Sequence, residues 1–169
     1  MDTGDYYFSA VDWADLEGIT EGTSPTTFSP KEKATRGETV TFLWRAAGCP
    51  EPETAENPFS DISEGDYFYK AVLWAFERGI TIGTGDGTFS PEDTVTRAQM
   101  ATFLYRMEGS PKPGESPFTD VESGSYYEDP VCWAYQDEIT NGTGETTFNP
   151  NDDCLRGEIV TFLFRYFEQ

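Results

Sequence analysis

Three arginines have the most distinctive chemistry in this sequence, because each directly follows a residue at the expected start of a helix. Arg36, Arg97 and Arg156 lie in Thr-Arg-Gly-Glu, Thr-Arg-Ala-Gln and Leu-Arg-Gly-Glu. The start of a helix is the positive end of its dipole, where a cation is disfavoured by about 0.3–1 kcal/mol. A guanidinium at that position therefore indicates an anion, bound by the arginine together with free helix amides. The anion is either an external carboxylate or a carboxylate of the chain, such as Asp61 or Asp120.

The three arginines are more notable because basic residues are few in this sequence. Among 169 residues, 31 are acidic and 11 are basic, so the net charge is -20. Such a chain is a poor partner for nucleic acid or for an anionic membrane. Six of its seven arginines nevertheless occupy two repeated positions. The second position, held by Arg45, Arg106 and Arg165, lies nine residues further along the same helix. It faces away from the first arginine, so we predict structural pairing there.

Other candidate residues also repeat at equivalent positions: Trp13, Trp74, Trp133, Gly22, Gly83 and Gly142. A tryptophan can stack on a sugar ring, but a tryptophan followed by alanine on a short helix is also typical of a protein core. The loop glycines either let the backbone approach a ligand or supply a positive φ angle. Both alternatives remain open at each position.

Several kinds of chemistry are disfavoured. The sequence has no histidine, which removes the commonest general base and the commonest zinc ligand. Asp86-Gly87 does not begin a calcium loop, because Pro91 stands where that loop requires glycine. The cysteines, including a free thiol expected at Cys49, do not indicate a disulfide framework. We predict no catalytic residue, no metal and no cofactor, although paired carboxylates for glycoside cleavage stay open in so acidic a chain.

The helices that position these residues recur with them. The second copy lies 61 residues after the first, and the third lies 59 residues after the second. In each copy a short helix, such as residues 67–78, is followed by a glycine- and threonine-rich loop and a second helix. Capping boxes start this second helix at Thr35 and Thr96, whereas Leu155 breaks the box in copy 3. A period near sixty residues predicts units that pack on one another.

The boundaries follow from the repeat and from its proline-rich spacers. We predict repeats at residues 1–48, 57–109 and 116–169, with linkers at 49–56 and 110–115. Copies 2 and 3 begin with a Pro-Phe-Ser-Asp or Pro-Phe-Thr-Asp leader that copy 1 lacks, so we expect the front of copy 1 to have been trimmed.

Copy 3 also departs from the pattern at the end of its first helix. Gly18 and Gly79 are placed to end that helix as left-handed caps. Glu138 replaces the glycine in copy 3, so the chain there must strain or rearrange. Together with Leu155, this makes copy 3 the expected weakest site.

The repeated motifs resemble the S-layer homology (SLH) family. The order is Phe-x-Asp, Tyr, Trp-Ala, Gly-Ile-Thr, Gly-Thr, Thr-Phe-x-Pro and then Thr-Arg-Ala-Gln or Thr-Arg-Gly-Glu, and it covers nearly the whole chain in triplicate. The resemblance implies a mostly α fold, in which three tandem helix-loop-helix repeats form one pseudo-threefold spindle around a central helical bundle. It also implies grooves between the repeats.

The same resemblance implies a function. Modules of this family anchor exported proteins non-covalently to the secondary polysaccharide of the cell wall, commonly through a terminal pyruvylated N-acetylmannosamine whose acidic group meets the motif arginine. We therefore expect an extracellular cell-surface module of a bacterium that binds an acidic polysaccharide without enzyme activity. We expect no nucleic-acid partner and no membrane insertion, and a longer parent chain could carry cargo domains. A protein–protein or self-assembly module and a wall-active enzyme are the alternatives.

Overall fold

The computed structural model describes residues 4–54 and 56–168, and its architecture is mostly α. Six helices are α1 (Phe8–Leu16), α2 (Arg36–Ala46), α3 (Tyr69–Glu77), α4 (Arg97–Met107), α5 (Glu128–Gln136) and α6 (Arg156–Phe167). Between them, the described residues form only isolated β-bridges and no strand. None of these helices has the length and apolar character needed to cross a membrane.

The capping boxes predicted for the second helix of copies 1 and 2 are confirmed. In α2 the Thr35 hydroxyl accepts from the Glu38 amide at 3.2 Å, and the Glu38 carboxylate accepts from the Thr35 amide at 3.0 Å. Thr96 and Gln99 form the same pair at the start of α4. At α6 only half the box can form: Glu158 accepts from the Leu155 amide at 2.8 Å. Because leucine has no side-chain oxygen, the cap of α6 is incomplete.

Replacing Leu155 by threonine should restore that cap and raise the free energy of unfolding by about 1 kcal/mol. Urea unfolding followed by circular dichroism measures the change. Leu155→Val is the matched control, because valine has the shape of threonine without the hydroxyl. Equal stability of the two variants would show that the missing acceptor does not weaken α6.

The chain strains at Glu138 and does not rearrange there. Gly18 and Gly79 adopt φ angles of 68° and 69°, and Glu138 adopts 58° at the equivalent position. A non-glycine residue in this left-handed region costs roughly 1–2 kcal/mol. The first helix of copy 3 therefore ends in the same way as the others, at a higher conformational cost.

Helices of different copies pack on one another. The first helix of each copy lies against the second helix of the preceding copy: α3 packs on α2, α5 on α4, and α1 on α6. Helix α6 also contacts both α2 and α4. The second helices contribute fully buried apolar residues to the core: Val40, Leu43, Met100, Leu104, Ile159 and Leu163. The first copy thus completes the packing of the third.

A ring of backbone hydrogen bonds joins the residues that precede the second helices. The Ala34 amide donates to the Cys154 carbonyl at 3.0 Å, Cys154 to Val95 at 2.8 Å, and Val95 to Ala34 at 3.1 Å. All three residues are fully buried, and burial raises the pKa of the Cys154 thiol. Each copy therefore contacts the next one, and the third copy contacts the first.

Candidate functional site

The helix-start amides that sequence reasoning left free for a ligand are already bonded. The Arg36 amide donates to the Asp93 carbonyl and the Gly37 amide to the Pro91 carbonyl, both at 2.9 Å. Equivalent bonds join α4 to copy 3 and α6 to copy 1. The expectation of free helix amides is wrong, because the loop of the next copy packs against each helix start and supplies the acceptors.

Each of the three motif arginines is buried and reaches into the next copy. Arg36 is 3% exposed; its Nε donates to the Phe89 carbonyl at 2.9 Å. Its guanidinium carbon lies 4.8 Å from the centre of the Phe89 ring, a cation–π distance. The equivalent pairs are Arg97 with Phe148 and Arg156 with Phe28. These arginines therefore hold the copies together.

Two of the three arginines meet a carboxylate of the chain itself. Arg97 Nη1 lies 2.5 Å from Glu158 Oε1, and Arg156 Nη1 lies 2.6 Å from Glu38 Oε1. These glutamates belong to the capping boxes, so one oxygen of each caps a helix and the other pairs with the arginine of the preceding copy in the cycle. An anion predicted from the helix dipole is thus present inside the structure at two positions.

The internal partners differ from those suggested by the sequence. Asp61 accepts from the Phe89 and Ser90 amides at 2.8 and 2.7 Å. Asp120 accepts in the same way from the Phe148 and Asn149 amides. Both aspartates use their oxygens to fix the loop that precedes the second helix, so the capping-box glutamate supplies the ion pair instead.

Arg36 is the exception, since it faces an amide. Its Nη1 lies 3.4 Å from Gln99 Oε1, and the same oxygen accepts from the Thr96 amide at 3.2 Å. Gln99 occupies the capping-box position held by Glu38 and Glu158 in the other copies. Arg36 therefore has no short ion pair with a carboxylate among the described residues.

Two grooves open beside Arg36 and Arg97, and residues of all three copies line each groove. The first, called the Arg36 groove, has a volume of about 370 Å³ and is lined by Arg36, residues 81–84, Gln99, Arg106 and Tyr126, together with Thr102 and Phe103. The second, called the Arg97 groove, has a volume of about 380 Å³. Its lining includes Tyr6, Arg97, residues 139–143, Glu158 and Arg165.

In copies 2 and 3 the arginine at the second position also lines a groove, which sequence reasoning missed. The structural pairing predicted for Arg45 is confirmed by a 3.3 Å contact with Glu21. Arg106 and Arg165 each bond a carbonyl of their own copy, but they also line the two grooves. An argument about one helix could not place them there, because the motif arginine beside each comes from the preceding copy. Their equal spacing in every repeat was the available signal.

The aromatic side chains exposed at the grooves are tyrosines. Tyr126 is 59% exposed and Tyr6 62%, and both belong to the repeated tyrosine position. Burial of part of the side chain raises the pKa of Tyr6 to about 12, and Glu158 adds to this effect. The phenol therefore stays protonated, able to donate a hydrogen bond at any ordinary pH.

The tryptophans lie elsewhere. Trp74 and Trp133 are 4% and 3% exposed, and the Trp133 ring lies 5.7 Å from the ring of Tyr105 on α4. Trp13 is partly buried and donates to a Glu168 oxygen at 3.1 Å. No tryptophan is among the described residues that line either groove. The structure thus keeps the tryptophans out of the two grooves and brings tyrosines to them.

Two of the loop glycines line a groove, and all three have a positive φ angle. Gly83 and Gly142 line the two grooves, and Gly22 lines a separate cavity of about 260 Å³ in copy 1. All three adopt positive φ angles, 73° at Gly22, 82° at Gly83 and 77° at Gly142. A Cβ at Gly83 would also collide with the Thr88 carbonyl and the Phe59 ring. Their conformation requires glycine regardless of any ligand.

Metal-binding geometry is not found in the part of the chain that the structure describes. No group of three or more histidine, cysteine, aspartate or glutamate side chains there is placed to hold an ion. The chemistry offered by the grooves is instead that of arginine, tyrosine and threonine side chains. Such groups suit an oxygen-rich ligand with an acidic substituent.

Comparison with known proteins finds similar sequences within longer bacterial proteins. An endoglucanase of Bacillus sp. (strain KSM-635) is 33% identical over 158 residues, which make up 87% of this chain and 16% of that protein. Cell surface glycoprotein 1 of Acetivibrio thermocellus is 27% identical over 167 residues, 91% of this chain and 7% of that protein. A cellulosome-anchoring protein of the same organism is 27% identical over 154 residues, 84% of this chain and 34% of that protein.

The chain therefore spans about a third or less of the length of these relatives. What it shares with them is the repeated unit. The family model described as the S-layer homology domain matches residues 1–40, 58–101 and 117–160. These three matches together make up most of the sequence, and each contains one motif arginine. The chain therefore belongs to the S-layer homology family.

Proposed function

We propose that this chain anchors a bacterial surface protein to the cell wall by binding an acidic secondary polysaccharide in the grooves between its repeats. The supporting observation is that the Arg36 and Arg97 grooves each combine two arginines from adjacent copies with an exposed tyrosine from the third. A terminal pyruvylated N-acetylmannosamine is the ligand we propose, because it presents a carboxylate on a sugar ring. Cell-surface and cellulosome-anchoring relatives support the anchoring role and the location at the cell surface.

Different residues that line a groove bind different parts of the ligand. In the Arg36 groove the carboxylate binds Arg36 and Arg106, two lining cations that come from different copies. The sugar ring packs against Tyr126, and threonine hydroxyls such as Thr84 and Thr102 bond its oxygens. The amides at the start of α2 take no part, since the next copy already accepts their protons. The tryptophans and Gly22 fall outside both grooves, so we propose no direct ligand contact for them here.

Affinity must come from these short-range contacts. The chain has a net charge of -20, so its overall field opposes an acidic polymer. Salt screens that field beyond roughly 8 Å at physiological ionic strength. The arginines within a groove therefore decide whether the acid binds.

We also propose that the repeats form a pseudo-threefold spindle around the second helices. The ring of hydrogen bonds through Ala34, Val95 and Cys154 supports this arrangement, because each copy contributes one donor and one acceptor. The arginine contacts to Phe28, Phe89 and Phe148 repeat the same cyclic order. Grooves built from three copies are a consequence of that order.

Recognition without catalysis is part of the proposal. The endoglucanase relative is matched over only 16% of its length, which leaves most of that protein outside the shared module. We propose that this chain likewise serves cargo domains of a longer protein and performs no reaction itself.

Cosedimentation with purified cell walls tests the function. The chain should pellet with walls that carry a pyruvylated secondary polysaccharide and stay in solution after that polysaccharide is extracted. Pelleting that survives extraction would favour a protein partner or self-assembly, and absence of pelleting from intact walls would overturn wall anchoring. Release of sugars or peptides during the incubation would show an enzyme instead.

Arg106→Gln should weaken wall binding about tenfold, because a charge-assisted hydrogen bond to the carboxylate is lost. Quantitative pelleting over a series of wall concentrations measures this. Arg78→Gln is the matched control, since Arg78 is exposed and lies outside both grooves. Equal binding by the two variants would contradict a role for the Arg36 groove.

A further inference from the structure

We propose that the Arg36 groove is the principal acid-binding groove of this chain, because Gln99 replaces the glutamate that neutralises the motif arginine elsewhere. The proposal rests on the function proposed above and adds a ranking of the grooves. Thr-Arg-Ala-Gln departs from the glutamate-containing pattern at Gln99, the residue that faces Arg36.

The capping-box residue decides the charge next to each arginine. Glu158 has two oxygens, so it accepts from the Leu155 amide at 2.8 Å and from Arg97 at 2.5 Å. Gln99 has one oxygen for the same two tasks, and its distance to Arg36 is 3.4 Å. A neutral amide at that distance leaves the positive charge of Arg36 available to an incoming anion.

The residues that line the two grooves also differ in charge. The Arg36 groove is lined by Arg36 and Arg106, with no carboxylate among its described lining residues. The Arg97 groove has two arginines as well, but Glu158 lies among them. An acid entering the Arg97 groove must approach a like charge and compete with an ion pair that is already formed. The Arg36 groove presents neither obstacle.

Burial makes the unneutralised charge of Arg36 costly for the free protein. Arg36 is 3% exposed, and desolvation lowers the pKa of its guanidinium, with Asp93, Tyr126 and Asp61 acting in the opposite direction. A ligand carboxylate would supply the close anion that a buried arginine otherwise lacks. Asp61 does not distinguish the grooves, because Asp120 holds the equivalent position beside the Arg97 groove.

Isothermal titration of the chain with the methyl glycoside of pyruvylated N-acetylmannosamine tests the ranking. Gln99→Glu should weaken the tightest site at least about tenfold, because it places a paired carboxylate opposite Arg36. Glu158→Gln should strengthen binding in the Arg97 groove. Asn151→Asp is the matched control, since it adds the same charge at an exposed residue outside both grooves, and it should leave the affinity unchanged.

The variants separate the possible failures. Gln99→Glu adds an ion pair to Arg36, so its melting temperature should equal or exceed that of the parent, and lost binding cannot then be lost folding. If the parent binds the glycoside and Gln99→Glu binds it equally well, the ranking is overturned while the proposed function stands. If the parent does not bind the glycoside, the proposed ligand and the ranking both fail.

Discussion

Arg97→Ala should lower the free energy of unfolding by about 3–5 kcal/mol, because it breaks a buried ion pair and leaves the Glu158 carboxylate without its cation. Arg97 and Glu158 have side-chain exposures of 5% and 18%, and their atoms lie 2.5 Å apart. The substitution also removes the 2.8 Å bond from Arg97 to the Phe148 carbonyl, which joins copies 2 and 3. Urea unfolding followed by circular dichroism measures the loss.

Arg36→Ala is the matched control for that loss. Arg36 has the same position, the same burial and an equivalent bond to Phe89, but the residue left behind is the neutral Gln99. Its loss should be smaller, since an unpaired buried amide costs less than an unpaired buried carboxylate. Equal losses in the two variants would show that the carboxylate of Glu158 does not contribute to holding the copies together.

Phe148→Ala should cost about 3–5 kcal/mol of unfolding free energy, the range for removing a buried phenylalanine. Phe148 is fully buried, and its ring lies 4.8 Å from the Arg97 guanidinium and 5.7 Å from the Phe118 ring. Its removal leaves a cavity and exposes one face of the arginine. Thermal and urea unfolding both report the effect.

The equivalent residue of copy 1 provides the comparison. Phe28 makes the same contact with Arg156, at 4.9 Å, but it is only partly buried. Phe28→Ala should therefore cost less than Phe148→Ala, because less apolar surface is removed from the interior. A larger loss at Phe28 would contradict the assignment of Phe148 as the more deeply packed of the two.

Local signals in the sequence predicted the helices well. The capping boxes at Thr35 and Thr96 mark the starts of α2 and α4, and the left-handed glycines at Gly18 and Gly79 follow the ends of α1 and α3. These features depend on residues within four positions of one another, so their spacing is visible without a structure. The mostly α architecture follows from them.

The arginines were predicted only in part. A cation at a helix start does indicate an anion, and Arg97 finds one in Glu158. The sequence could not reveal that this anion is a capping residue of the next copy, because the two lie 61 residues apart. The same distance hid the loop carbonyls that occupy the helix amides and the entry of Arg106 into the groove beside Arg36.

The aromatic residues show a second limit of prediction from the sequence. Tryptophan and tyrosine recur equally regularly in the repeats, so periodicity alone cannot separate core from groove. The structure buries Trp74 and Trp133 and leaves Tyr126 and Tyr6 exposed beside the arginines. Which face of a short helix is covered depends on the preceding copy, and that contact is not encoded within one repeat.

The most direct test of the account compares two sugars on one protein. The chain should bind the methyl glycoside of pyruvylated N-acetylmannosamine, and removal of the pyruvate from the same glycoside should abolish the heat of binding measured by isothermal titration. That result would show that the groove arginines recognise the acid. Equal binding of the two glycosides would contradict the account, because a neutral sugar gives Arg36 and Arg106 no anion to bind.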